Sequence, residues 1–331
     1  MSNEQHVGHG GLTIFEPFEP LNEHGFLHAR VNGKMYPPFI DREILKELQL
    51  RWNTDENDIF ISTHQKVGTH LTKKFVSEIL RKGIDYPEEH PMKSGDIGHH
   101  TIPWPEVMAS QYGLEKFFEF IDHTKGFPRV WYIHCFKEDL PAASIHPKTK
   151  FINVFRDPKG AAVSQYFFYK SHPLLGVDSD LTMDQFIDYF VRGDLYFGDY
   201  HKHTLNWTES GDSKFDRDCL LTLRYEDLVE RKMESAKLLT HFLLGIKNGI
   251  NEEGMIEIIE NTEFNKMKKS ITENPGSFHF NPNTFFRSGT TYDWQEKLRP
   301  EQIYKIDIKS KLLWGHENSP DLTNTQTLDV Y

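Results

Sequence analysis

The sequence predicts a single α/β domain with a central parallel sheet flanked by helices. Short apolar strands alternate with helical runs, no internal repeat divides the chain, and 331 residues with 37% hydrophobic content suffice for one large core. Residues 1–35 mix Gly, His, Pro, Phe and acids without periodicity and are expected to form an irregular surface arm. The domain is expected over 36–316, and the polar stretch 317–331 reads as a loosely ordered tail.

The regular pattern starts at Asp58-Ile59-Phe60-Ile61-Ser62-Thr63, a buried strand, followed by a polar loop and a helical run from Thr69 to Lys82. From Gly83 to Pro128 the chain is rich in Pro, His and Gly. Ile102-Pro103-Trp104-Pro105 cannot stay helical, and one helix is expected around Leu114 to Ile121. A second strand, Arg129 to His134, ends in a histidine. A third, Lys150 to Phe155, runs into Arg156-Asp157-Pro158. There Asp157 as N-cap and Pro158 at the first helical position start a helix through Tyr169. Leu220 to Tyr225 is a fourth strand, and Glu226-Asp227 opens a helix to about Leu244.

Composition narrows the function. Against 49 acids stand 38 Lys and Arg, a net charge of −11, so nucleic acid is not an expected partner and any phosphate site must be built from local donors. No 18-residue apolar run predicts a membrane span, and the first basic residue, Arg30, is too late for a signal peptide; a cytoplasmic protein is expected. Cys135 and Cys219 read as thiols.

In an open parallel sheet, ligands sit beyond the carboxyl ends of the strands, and three segments fall there. In Thr63-His64-Gln65-Lys66-Val67-Gly68-Thr69, Gly68 permits close backbone approach, while Lys66 and Thr69 add donors, as in a phosphate cradle; the pattern is not Walker A. Arg156 leaves a strand end, and Ser164 follows about two turns into the next helix. The loop Phe286-Arg287-Ser288-Gly289-Thr290 carries a further Arg and Gly. Each alone reads as an ordinary turn. His99-His100 and His201-x-His203 lack the spacing of a strong metal site, so no metal is expected.

Taken together and in this order, Lys-x-Gly-Thr at Lys66, His134 ending a strand, Arg156-Asp157-Pro158-Lys159 with Ser164, Arg224-Tyr225-Glu226-Asp227 and Arg287-x-Gly289-Thr290-x-x-Asp293-Trp294 resemble the cytosolic sulfotransferases. The resemblance spans roughly residues 55 to 297. It implies a fold related to the P-loop nucleotide kinases and sulfuryl transfer from 3′-phosphoadenosine 5′-phosphosulfate (PAPS) to a hydroxyl or amine of a small-molecule acceptor, without a required metal. It further implies that Lys66, Gly68 and Thr69 belong to the 5′-phosphosulfate loop, with Val67, His70 and Leu71 as further cofactor-binding positions, Leu71 packing on adenine. Arg156, Ser164, Arg287 and Gly289 would hold the 3′-phosphate, with Ser288 among the cofactor-binding positions but short of one phosphate contact, and Tyr225, Thr262 and Phe264 would hold the adenine. His134 is then the base, Lys66 neutralises the leaving bisphosphate, and Ser164 holds Lys66 back until acceptor arrives. Four positions depart from the family pattern: Val67 for a loop serine, Leu71 for an adenine-stacking tryptophan, Tyr132 for a lysine and Ser288 for a lysine. The family's dimer motif is not found after Trp294, leaving monomer or homodimer open. The rival readings are a kinase-like phosphotransferase, which should show Walker A and a magnesium ligand, and a bisphosphate-binding homologue without turnover. Asp96, Glu106 and Asp199, in or near the expected pocket loops, raise the question of a cationic acceptor.

Overall fold

Ahead of the main body, His6–Val7 pairs antiparallel with Thr13–Ile14, and Glu19–Pro20 pairs with Leu27–His28. Residues 27–36, read from sequence as the end or edge of an irregular arm, form an antiparallel hairpin of β1 (Leu27–Val31) and β2 (Lys34–Tyr36). Asn32 and Gly33 turn it at φ of 51° and 76°, the left-handed pair that a tight hairpin requires. The computed structural model describes residues 6–7, 13–15, 19–20, 27–172, 175, 180–208, 217–246, 249–273 and 286–315; the expected tail 317–331 lies outside them.

After α1 (Arg42–Arg51), capped by the Asp41 carboxylate on the N–H groups of Glu43 and Ile44, the chain enters the central sheet. Its strands are β3 (Asp58–Thr63), β4 (Arg129–Ile133), β5 (Lys150–Phe155) and β6 (Leu220–Arg224), in the order β4-β3-β5-β6 and all parallel. Strand period sorts the side chains. Phe60, Trp131, Ile133 and Phe151 face one way, into a core with Leu48, Phe117 and Trp207; Ile59, Ile61, Val130, Tyr132, Ile152 and Val154 face the other. Both faces are buried, as the near-continuous apolar runs require.

The helices around the sheet and packed on one another are α2 (Thr69–Gly83), α3 (Pro105–His123), α4 (Pro158–Ser171), α5 (Met183–Arg192), α6 (Tyr200–Thr208), α7 (Tyr225–Glu230), α8 (Lys232–Leu244), α9 (Glu252–Asn261), α10 (Phe264–Glu273), α11 (Trp294–Lys297) and α12 (Pro300–Trp314). Two differ from expectation. The helix expected over 114–121 begins at Pro105, which accepts the first helical position, and Gly113 at φ 85° and ψ 160° breaks it in the middle. The helix expected from Glu226 to Leu244 is two, divided at Arg231. Among the described residues no helix is long and apolar enough to cross a membrane.

A buried polar knot holds the amino ends of β3 and β4. Asp58 accepts from Arg129 Nε and Trp131 Nε1, each at 2.7 Å, while Arg129 Nη2 donates to Asp55 at 2.7 Å. Chemistry is collected at the opposite ends of the strands. The chain passes from β3 to β4 on one side and then to β5 on the other, so the carboxyl end of β3 opens a crevice between diverging connections.

Candidate active site

Each sheet strand delivers polar residues to that crevice as it ends: Gln65, Lys66 and Thr69 after β3, His134 after β4, Arg156 after β5 and Tyr225 after β6. They line one cavity of about 570 Å³ together with Gly68, His70, Leu71, Ser164, Thr262, Phe264 and the loop Arg287 to Thr290. Of the positions expected from sequence to bind the donor or act in catalysis, Val67 alone does not line it; its side chain is fully buried in the core beneath the loop.

The loop after β3 is a strained, clamped turn. Lys66 stands at φ 63° and Gly68 at 117°, left-handed values that a non-glycine residue rarely adopts. From α4, Gln165 Nε2 donates to the carbonyl of Gln65 at 3.0 Å, and the Tyr169 hydroxyl donates to Gln65 Oε1. A Cβ on Gly68 would lie 2.7 Å from Tyr225 Cδ2, so the ring packs where only hydrogen fits. From Gly68 the chain enters α2, and by helix geometry the N–H groups of Thr69, His70 and Leu71 have no partner within the helix.

Lys66 projects its ammonium over the Phe168 ring at 4.9 Å, one turn beyond Ser164 on α4. Burial in the cavity wall and the neighbouring Arg156 and Arg287 charges lower its pKa to about 7. Arg156 is held by its backbone, since its N–H donates to the Tyr200 hydroxyl at 3.0 Å. Its guanidinium stacks on Tyr225 at 4.3 Å and reaches the carbonyls of Lys66 at 3.4 Å and Thr290 at 3.3 Å. Its Nε is buried without a partner among the described residues. Such an orphaned donor on a buried cation signals a site built for an anion. Arg287 pairs with Asp293 and stacks on Phe167 at 4.7 Å; Gly289, at φ 68°, lies so close to Phe264 that a Cβ would come within 2.6 Å of its ring.

His134 faces this cluster across the cavity. Its Nδ1 lies 2.8 Å from the carbonyl oxygen of Thr63, which has no proton to give, so Nδ1 carries the hydrogen and Nε2 keeps its lone pair. Burial, with the nearby Lys73 and Lys66 charges, lowers the pKa to about 4, leaving a neutral imidazole at pH 7. Trp104 packs edge-on to the ring at 4.9 Å, and the Tyr132 hydroxyl meets His99 Nδ1 at 3.3 Å. Trp104, Tyr132 and His99, with Phe39, Val107 and Leu175, give this end of the cavity a largely apolar wall.

Other sequence candidates lie elsewhere. Asp96, Glu106 and Asp199 do not line the cavity: Asp96 is exposed, Glu106 is fully buried and Asp199 pairs with Lys309 at 2.7 Å. His201 bonds Ser310 at 3.0 Å and packs on Trp314, and His203 bonds the Cys135 carbonyl at 3.1 Å; both serve the core. Among the described residues no three His, Cys, Asp or Glu are grouped to hold a metal ion. Phe39 and Leu175 carried no signal in the sequence, because distant packing alone brings them to the cavity.

Residues 56–312 match the sulfotransferase domain family. Among curated relatives, sulfotransferase 1E1 of Homo sapiens is 28% identical over 308 residues, covering 89% of this chain and 92% of that one. Sulfotransferase 6B1 of Danio rerio is 25% identical over 283 residues, covering 86% and 84%. The fold is similar to the crystal structure of mouse sulfotransferase SULT7A1 complexed with PAP, with a TM-score of 0.68 at 24% identity over 86% of this chain and 94% of that one.

Proposed function

The chain belongs to the sulfotransferase family, and we propose that it transfers a sulfuryl group from PAPS to a hydroxyl or amine of a small-molecule acceptor. The residues present fit that donor. The orphaned Nε of buried Arg156, with Arg287 and Ser164, suits the 3′-phosphate, and Gly68 and Gly289 let the Tyr225 and Phe264 rings pack directly on the backbone beside the cavity. Lys66 and the α2 amides would hold the 5′-phosphosulfate, and Tyr225, Thr262 and Phe264 the adenine. PAPS, when bound, supplies an activated sulfuryl group whose leaving group is a bisphosphate.

His134 Nε2 then accepts the proton of the acceptor hydroxyl or amine as the new bond to sulfur forms. Lys66 stabilises the negative charge on the bridging oxygen as the bond to the bisphosphate breaks, and Ser164 restrains Lys66 beforehand. One observation carries the reading: a histidine whose Nδ1 is taken up by a backbone carbonyl lines the same cavity as a lysine and two arginines. The apolar wall near His134, without a carboxylate among its described residues, favours an uncharged over a cationic acceptor.

The test is transfer from radiolabelled PAPS to a panel of phenols, aliphatic alcohols and amines. His134→Ala is expected to reduce transfer by at least about a hundredfold while adenosine 3′,5′-bisphosphate still binds. Wild-type binding without transfer to any member would favour the non-catalytic homologue. Phosphoryl transfer from ATP would favour the kinase-like reading.

A further inference from the structure

Thr63 ends β3 fully buried, and its side chain joins the two halves of the cavity. Its Oγ1 lies 3.2 Å from His134 Nδ1 and 2.8 Å from Thr69 Oγ1, and its carbonyl oxygen is 2.8 Å from the same Nδ1. Register explains the meeting, because Ser62 pairs with Ile133 across β3 and β4 and the next residue on each strand is Thr63 and His134. Thr69 and His134 both line the cavity; Thr63 does not.

Counting protons gives this chain a direction. The carbonyl fixes the hydrogen on Nδ1, which is shared with Thr63 Oγ1 as a second acceptor. Thr63 has one hydroxyl proton, and the acceptor in its reach among the described residues is Thr69 Oγ1. Thr69, already accepting, keeps its own proton for a partner in the cavity. Either hydroxyl can donate across the Thr63–Thr69 pair, and the arrangement that gives every proton an acceptor runs from His134 through Thr63 to Thr69, which lines the same cavity as Lys66 and Arg156.

We infer that Thr63 is a positioning residue that couples occupancy of the anion site to the strength of the base. An anion that takes the Thr69 proton polarises the chain so that Nδ1–H is drawn toward Thr63, electron density rises in the imidazole and Nε2 becomes the better proton acceptor. The acceptor is then activated when donor is in place and not before, which limits idle ionisation of the acceptor in a site without donor. This inference rests on the proposed donor site and adds the coupling to it.

The coupling is read on the full-length protein labelled with ¹⁵N-histidine, by the His134 Nδ1–H proton resonance, assigned by its loss in His134→Gln. Saturation with adenosine 3′,5′-bisphosphate is expected to move this resonance downfield in wild type. The move should shrink by at least about half in Thr63→Val and return in Thr63→Ser. Thr69→Ala, which cuts the chain at its other end, is expected to show the same loss and serves if the valine variant does not fold. Turnover should fall about tenfold in Thr63→Val, with bisphosphate affinity changed less than about twofold. A downfield move of equal size in wild type, Thr63→Val and Thr69→Ala overturns the relay and leaves the donor site standing. Failure of wild type to bind bisphosphate overturns the donor site and the relay with it.

Discussion

Lys66 occupies a left-handed backbone position with its ammonium among two guanidinium groups and an aromatic ring, so its charge is costly until an anion arrives. That cost sets a pH dependence. With a pKa lowered to about 7, Lys66 is increasingly neutral above that pH in the free protein, and a bound anion draws it back to the ammonium form. Bisphosphate affinity is therefore expected to fall as pH rises from 7 to 9, by up to about tenfold per unit. Calorimetry in two buffers of different ionisation enthalpy should show proton uptake on binding at pH 8. Affinity that stays level, with no proton uptake, would mean that Lys66 is fully charged without ligand. His134 is the complementary case, since a histidine held neutral by burial is already in the form that a base needs.

At the scale of elements, the turn from β3 into α2 is the most constrained piece. Gly68→Ala puts a Cβ 2.7 Å from Tyr225 at a φ of 117°, and is expected to cost about 1–3 kcal/mol of stability and at least tenfold in bisphosphate affinity, read by denaturant unfolding and titration. Unchanged values would show that the loop relaxes freely. The four sheet strands and their carboxyl-end loops were legible in the sequence, because apolar runs bounded by turns state both where a strand lies and where it stops. Asp157 and Pro158 likewise announced α4, and the Asp157 carboxylate accepts from Lys159 N at 2.8 Å. The hairpin at Asn32-Gly33 carried its own turn signal, but it was hidden in a segment without periodicity. Pro105 was read as a breaker where it starts a helix, since proline stops a helix in its interior and suits its first turn. The positions expected to hold the donor were local motifs; the apolar end of the cavity was not legible, because Phe39 and Leu175 arrive from segments that share no motif.

Over the whole molecule, buried histidines set the response to acid. Burial lowers His64 and His201 to about 3 and His90 and His134 to about 4, and also lowers His70 and His203. An unfolded histidine takes its proton near pH 6.5, so the stability these groups contribute is present above that pH and is lost as pH falls toward their folded values. Glu106, raised to about 8, acts in the opposite sense, as do Asp157 and Glu226, but they are three against six. The melting temperature is expected to fall steadily from pH 6.5 to 4; a level or rising value would contradict the burial of these rings. The same molecule carries a net charge of −11, so anion binding must come from the local cluster at the strand ends and not from the overall field. Calorimetric titration with adenosine 3′,5′-bisphosphate, AMP and ATP, for wild type and Arg156→Ala, tests this directly. The structure predicts that wild type binds bisphosphate at least about tenfold more tightly than AMP and that Arg156→Ala removes this preference. Equal binding of all three, or a preference for ATP with magnesium, would contradict the donor site built around Arg156.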